Sequence, residues 1–407
     1  MRTPRGRGAR SAPAPQRSAI AGDERLPSLT GLRFVAAIFV FLFHFTYEGM
    51  WSEPGAVDFT MHAFGKAGWA GVSLFFVLSG FVLTWSARPD DTAPRFWRRR
   101  FAKVYPNHFV AWTAAIVLMA MAGWTLEPFQ SVPRLTAPDT WLPALPNLFL
   151  IQAWFPQAKV FLSANPVAWT LACEAFFYLL FPLLYRYLRR IRPERLWPYA
   201  WGLMGLVMCM PLVAKLLPEK PGYVWNPEPL YQVLFVNNFP PVRLLEFVLG
   251  ILLARILQTG RRVPVNLPTA SALLVVVYIA TIDSPYLYQQ VATTIVPIAL
   301  LILAAAAADV RGQVSPLRNR LVVELGVQSY AFYLLHYMVL ISAHHLVGTD
   351  ARWNVAQAAG LFVLIFAVTQ ALSWLMYTRW EAPLLRFLGP PPNRRAQDAG
   401  QQVMADR

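Results

Sequence analysis

The sequence predicts an all-α polytopic membrane protein, a helical bundle of about ten transmembrane helices with both termini cytoplasmic. Three observations carry this. The 407-residue chain is 56% hydrophobic and only 14% charged. Apolar segments reaching the roughly 20 residues needed to cross a hydrocarbon core recur along it. Lys and Arg alternate between rich and poor loops, the pattern that sets membrane orientation. The net charge of +15 raises the question of nucleic acid. The basic residues, however, stand in short clusters between apolar runs, which suits topology and contact with anionic lipid rather than a nucleic-acid groove. Cys173 and Cys209 both fall in apolar segments and read as small packing residues, so no disulfide or metal framework is legible.

Residues 1–25, rich in Arg, Pro, Ala and Ser, read as a disordered basic tail. They are not a signal peptide, because the apolar run that follows is too long and lacks a small-residue cleavage site. The body of the chain is 26–388, and 389–407 is a second disordered tail. Ten spans are predicted: 30–48, 67–86, 104–124, 167–187, 197–217, 241–258, 268–282, 289–308, 325–347 and 355–378. The weakest are 241–258, which carries Arg243 and Glu246, and the short 268–282. Charge tests the set. Arg and Lys crowd the first tail, then 88–103, 186–195, 255–262, 311–320 and the last tail. The intervening loops hold only Lys66, then Arg134 and Lys159, then Lys215 and Lys220, then none, then Arg352. The loop at 125–166 is long and proline-rich, a length that usually signals function or disorder. Its segment Asn147–Phe155 is too short to span and apolar enough to dip into the membrane or cover a site.

Ionisable side chains inside spans cost a few kcal/mol and mark function by default. The first span, SLTGLRFVAAIFVFLFHFTY, has two, Arg33 and His44. Eleven residues make about three turns, so both lie on one helix face, about 16 Å apart. With the first helix running outward, Arg33 lies near the inner face and His44 in the outer half. Glu174 falls in the outer half of the fourth span, Arg243 and Glu246 pair one turn apart near the outer end of the sixth, and His336 sits near the middle of the ninth. Arg33 faces the basic cluster ending in Arg100 and Lys103. Arg243–Glu246 reads equally well as a structural ion pair or a functional one, and His336 as a helix–helix hydrogen bonder. His44 with Glu174 suits a general base and its orienting carboxylate.

These residues carry a resemblance over nearly the whole length, from Leu26 to about Pro383. The stretches are SLTGLRFVAAIFVFLFH, GVSLFFVLSGF with Ser79, RRRFAKVYP, WTLACEAFFYLLFP with Glu174 and Tyr178, RLLEFVLG with Glu246, LGVQSYAFYLLH with Ser329, Tyr330 and His336, and WEAP with Glu381. Together they resemble the acyltransferase-3 family of integral-membrane O-acyltransferases. The resemblance implies transfer of an acyl group from acyl-CoA, a co-substrate rather than a bound cofactor, to a hydroxyl of a sugar-containing acceptor. That acceptor would be a cell-surface glycan, a glycolipid or a macrolide-type glycoside, handled at the cell membrane without nucleic acid or metal. It also implies that His44 is the catalytic histidine, that Arg33 is its partner in the R-x10-H motif, and that Arg100 and Lys103 hold CoA. The family has Arg at the second of these positions; Lys103 keeps the charge without a bidentate grip on phosphate. The chain resembles standalone members without a C-terminal soluble domain. Glu174 is then expected to assist His44 in direct transfer, with Ser79, Arg243, Glu246, Tyr330 and His336 as substrate-binding or structural polar groups. The rival readings are a secondary transporter, which would show internal symmetry that is not found, and a glycolipid flippase.

Overall fold

The computed structural model describes residues 26–88, 91–222 and 227–388; both predicted tails, 1–25 and 389–407, lie outside the described residues. Every predicted span falls on a helix: α1 (Pro27–Tyr47), α3 (Ala67–Trp85), α4 (Ala93–Ala122), α5 (Trp169–Leu188), α6 (Leu196–Ala214), α8 (Pro240–Gln258), α9 (Leu267–Ala280), α10 (Ile295–Val310), α11 (Arg320–Val347) and α12 (Val355–Met376). Among the described residues, two further helices of eight or more residues, α2 (Pro54–Phe64) and α7 (Leu230–Asn237), lie in connections between the predicted spans. Eight helical segments among the described residues are long and apolar enough to cross a membrane. The two weakest spans stand outside that set: α8 is 19 residues long but carries Arg243, Glu246 and Arg255, and α9 has 14 residues. Helix α4 begins a full 11 residues before its predicted span (Ala93 against 104), because Arg and Lys are good helix formers and Pro94 sits in the first turn, where a missing N–H costs nothing.

Helices α3 and α10 are apolar around their whole circumference and buried almost throughout, as a helix without a polar face must be. The closest seam joins α3 to α8. The two run parallel, from a hydrogen bond between Arg243 and Ser73 Oγ at one end to Gln258 Nε2 donating to the Thr84 carbonyl at the other. Gly80 and Gly250 make that approach possible. A Cβ on Gly80 would stand 2.0 Å from the Phe247 carbonyl oxygen, and one on Gly250 2.1 Å from that of Val77. Small residues that let backbones touch are how membrane helices pack where water offers no driving force. A similar contact, Gly326 against the Thr30 carbonyl, sets the register of α11 along α1.

The segment 125–166 is folded into short helical turns rather than left extended. Buried Asn147 donates to the carbonyls of Ser163 and Asn165, and Asn165 in turn donates to the Leu334 carbonyl on α11. His108 on α4 donates through Nε2 to the Asn147 carbonyl at 2.9 Å. These bonds satisfy backbone groups that a buried loop would otherwise strand, and they hold the segment as a wall over the bundle. Cys173 is buried as expected of a packing residue, whereas Cys209 is exposed on α6.

Candidate active site

Six of the predicted site residues, Arg33, Ser79, Arg100, Lys103, Glu174 and Tyr330, meet in one narrow cavity of about 110 Å³. They come from five helices: Arg33 from the first turns of α1, Arg100 and Lys103 from the basic start of α4, Glu174 from α5, Ser79 from α3 and Tyr330 from α11. The Tyr178 hydroxyl donates to Glu174 at 3.0 Å, with Ser79 Oγ 3.4 Å behind it. Tyr330 donates to the Val104 carbonyl at 2.8 Å, tying α11 to α4. The charges of Arg33, Lys103 and Arg100 surround Glu174. A second carboxylate, Glu381, faces Lys103 and Arg33 and accepts from Asn107 at 2.7 Å. Burying three cations costs less when carboxylates stand among them.

His44 lies elsewhere, in the wall of a much wider chamber of about 830 Å³. The chamber is rimmed by Trp69, Trp124, Trp169 and Tyr286, and its charged groups are carboxylates and histidines; no Lys or Arg lines it among the described residues. Glu48 pairs with His344 at 2.7 Å, and Glu127 accepts from the Tyr337 hydroxyl at 2.7 Å. Glu127 belongs to the long loop, and burial, reinforced by the Glu48 charge, pushes its carboxyl up to about 7 against the pull of the Tyr337 hydrogen bond.

The expected His44–Glu174 pair does not form. Among the described residues, His44 Nδ1 has two hydrogen-bond partners, the Val40 carbonyl at 2.9 Å and His336 Nε2 at 3.2 Å. Glu174 lies five residues beyond Trp169, about 7 Å further along α5, and sits among the cations at the level of Arg33 rather than of His44. A carboxylate in a low-dielectric interior settles where opposite charge is nearest. His336, expected to be a helix–helix hydrogen bonder, is one, and its partner is His44. Arg243 and Glu246 pair at 2.8 Å, both fully buried, with the guanidinium 4.9 Å from the centre of the Phe76 ring. They brace the α3–α8 seam and line neither cavity. Sequence reasoning passed over Glu127, whose only signal was an acidic residue just beyond a span. It had Glu381 within a matched stretch but gave it no role.

The linings of the two spaces are in contact with each other. Phe76 lines the narrow cavity and Trp169 the wide chamber, and their rings touch edge to face at 6.3 Å. On α11, Tyr333 lines the first and Tyr337 the second, with His336 between them. A family model described as an acyltransferase domain matches residues 26–378. The acyltransferase MdmB of Streptomyces mycarofaciens is 40% identical over 374 residues, 90% of this chain and 93% of that one. The putative peptidoglycan O-acetyltransferase YrhL of Bacillus subtilis is 24% identical over 88% of this chain and 55% of its own. The peptidoglycan O-acetyltransferase OatA of Listeria monocytogenes is 24% identical over 77% and 49%. The chain thus spans nearly all of the Streptomyces relative and about half of the other two. No solved structure matches it. With the family model matched across the helical body and a relative 40% identical over nearly the whole of both chains, the chain belongs to the acyltransferase-3 family and is a multi-pass membrane O-acyltransferase.

Proposed function

We propose that the chain moves an acyl group from acyl-CoA to a hydroxyl of a sugar-containing acceptor, and that donor and acceptor reach His44 from opposite faces of the plasma membrane. The observation that carries this reading is the pair of unlike cavities, one narrow and cationic, the other wide, aromatic and acidic, whose linings meet where Phe76 touches Trp169. A third pocket extends the cationic side. It is lined by Arg88, Arg186 and Arg189 with Trp97 and Tyr185, and it shares Leu83 and Arg100 with the narrow cavity. In this reading the nucleotide end of CoA rests there, its phosphates on arginine and its base against an aromatic ring. The pantetheine arm follows Arg100, Lys103 and Arg33 inward. The alternation of Lys and Arg along the chain supports placing this pocket, and both termini, on the cytoplasmic side. The wide chamber takes the acceptor, and its ring of Trp and Tyr suits a sugar face, as its carboxylates suit hydroxyl donors.

The chemistry balances without a covalent enzyme intermediate. His44 takes the acceptor's hydroxyl proton, the oxygen attacks the thioester carbonyl, and the C–S bond breaks. The leaving sulfur recovers the proton from His44, giving an O-acyl ester and free CoA. Mixing the purified protein in nanodiscs with acetyl-CoA and a panel of glycosides is expected to release one free thiol per ester formed, and only when an acceptor is present. Ester formation without thiol release would overturn acyl-CoA as the donor, and absence of both across the panel would overturn the reading as a whole.

A further inference from the structure

We infer that His336 is a positioning residue for the catalytic step, holding His44 in the one tautomer that can act as a base. The inference rests on the reading of His44 as the proton acceptor and adds what makes it one. His336 is 1% exposed. Its Nδ1 lies 2.7 Å from the Tyr333 carbonyl, which can only accept, so Nδ1 carries the hydrogen. Neutral His336 then presents a bare lone pair on Nε2, and that atom stands 3.2 Å from His44 Nδ1. The other neighbour of His44 Nδ1 is the Val40 carbonyl, also an acceptor only. Two acceptors therefore converge on one nitrogen, and the hydrogen of neutral His44 must sit on Nδ1. Its Nε2 keeps the lone pair, has no hydrogen-bond partner among the described residues, and belongs to a ring that lines the acceptor chamber.

The arrangement does the work that a carboxylate does behind many catalytic histidines, with a neutral ring in its place. When His44 gains a proton on Nε2, the charge is shared through Nδ1–H to His336 Nε2. Rings hold the pair in place: Phe332 lies parallel to His336 at 6.1 Å, and Phe41 stands edge-on to it at 6.3 Å. The register that brings the two histidines together is set lower in the bundle, where Gly326 abuts Thr30.

Two substitutions separate this role from a structural one. In His336→Gln the amide oxygen takes the place of Nε2 and can still accept from His44. In His336→Asn the shorter amide can still donate to the Tyr333 carbonyl but no longer reaches His44. Acyl transfer by each is measured in nanodiscs against wild type and His44→Ala. The expected result is that the Gln variant keeps kcat within about tenfold of wild type, while the Asn variant loses about 100-fold in kcat with KM for acetyl-CoA and acceptor unchanged. Equal losses in both variants, or a change in KM alone, would overturn the inference while leaving His44→Ala inactive. An active His44→Ala would instead remove the reading on which it rests. Nitrogen-15 NMR of wild-type protein labelled at histidine gives a check that needs no variant: the resting His44 is expected to be protonated on Nδ1, and protonation on Nε2 alone contradicts the inference.

Discussion

Replacing His44 by Ala is expected to abolish acyl transfer while leaving the protein inserted and folded. A positioned general base contributes about 10²–10⁴-fold, and His44 is a base in the chamber wall whose Nε2 has no hydrogen-bond partner among the described residues. The structural cost is small by comparison. His44 is a half-buried side chain facing an open chamber, so its removal creates no sealed cavity. What it strands is the Nε2 acceptor of His336, a neutral group whose lost hydrogen bond costs about 1–3 kcal/mol. Turnover and thermal unfolding measured on the same preparation separate the two effects. Loss of activity with a midpoint within a few degrees of wild type fits the account; a variant as active as wild type does not.

The largest effect on stability is expected at Arg243. Its guanidinium is fully buried, pairs with Glu246 at 2.8 Å, reaches Ser73 Oγ at 3.3 Å and lies over the Phe76 ring. Removing one member of such a pair leaves the other as an uncompensated charge in a low-dielectric interior, a loss of about 3–5 kcal/mol. Arg243→Met should therefore lower the unfolding midpoint sharply. The double variant Arg243→Met with Glu246→Leu should recover most of it, because the pair as a whole gains little over apolar residues of similar size. If the single variant unfolds like wild type but loses turnover, the pair serves the reaction instead of the α3–α8 seam.

The spans were legible because apolar length and charge alternation are properties of the local sequence, and even the two weakest, over 241–258 and 268–282, are helices α8 and α9. Helix α2 was not, since its 11 residues mix Asp58 and His62 into an apolar run too short to span. Nor were the turns of the 125–166 segment, whose prolines break any periodicity and whose order comes from Asn147 and Asn165 reaching carbonyls far away in sequence. In the site, the cost of burying charge singled out Arg33, His44, Glu174 and His336 one by one, and the family resemblance added Arg100 and Lys103 from the basic cluster before the third span. Which of them meet is decided by how the helices dock. The Gly326 contact with Thr30 sets α11 against α1 so that His336 reaches His44, and the depth of Glu174 along α5 sends it to the cations instead. A histidine and a glutamate both placed in the outer halves of their spans look like a pair in the sequence, and only the docking shows that a second histidine holds that place.

The claim that donor and acceptor approach His44 from opposite faces is tested most directly in uniformly oriented proteoliposomes. Acetyl-CoA, too highly charged to cross a bilayer, is supplied on one face only, and acceptor-dependent thiol release is followed. The account predicts turnover when the donor is on the face bearing Arg186 and Arg189 and none when it is on the other. Turnover only with the donor on the face of the wide chamber would contradict it.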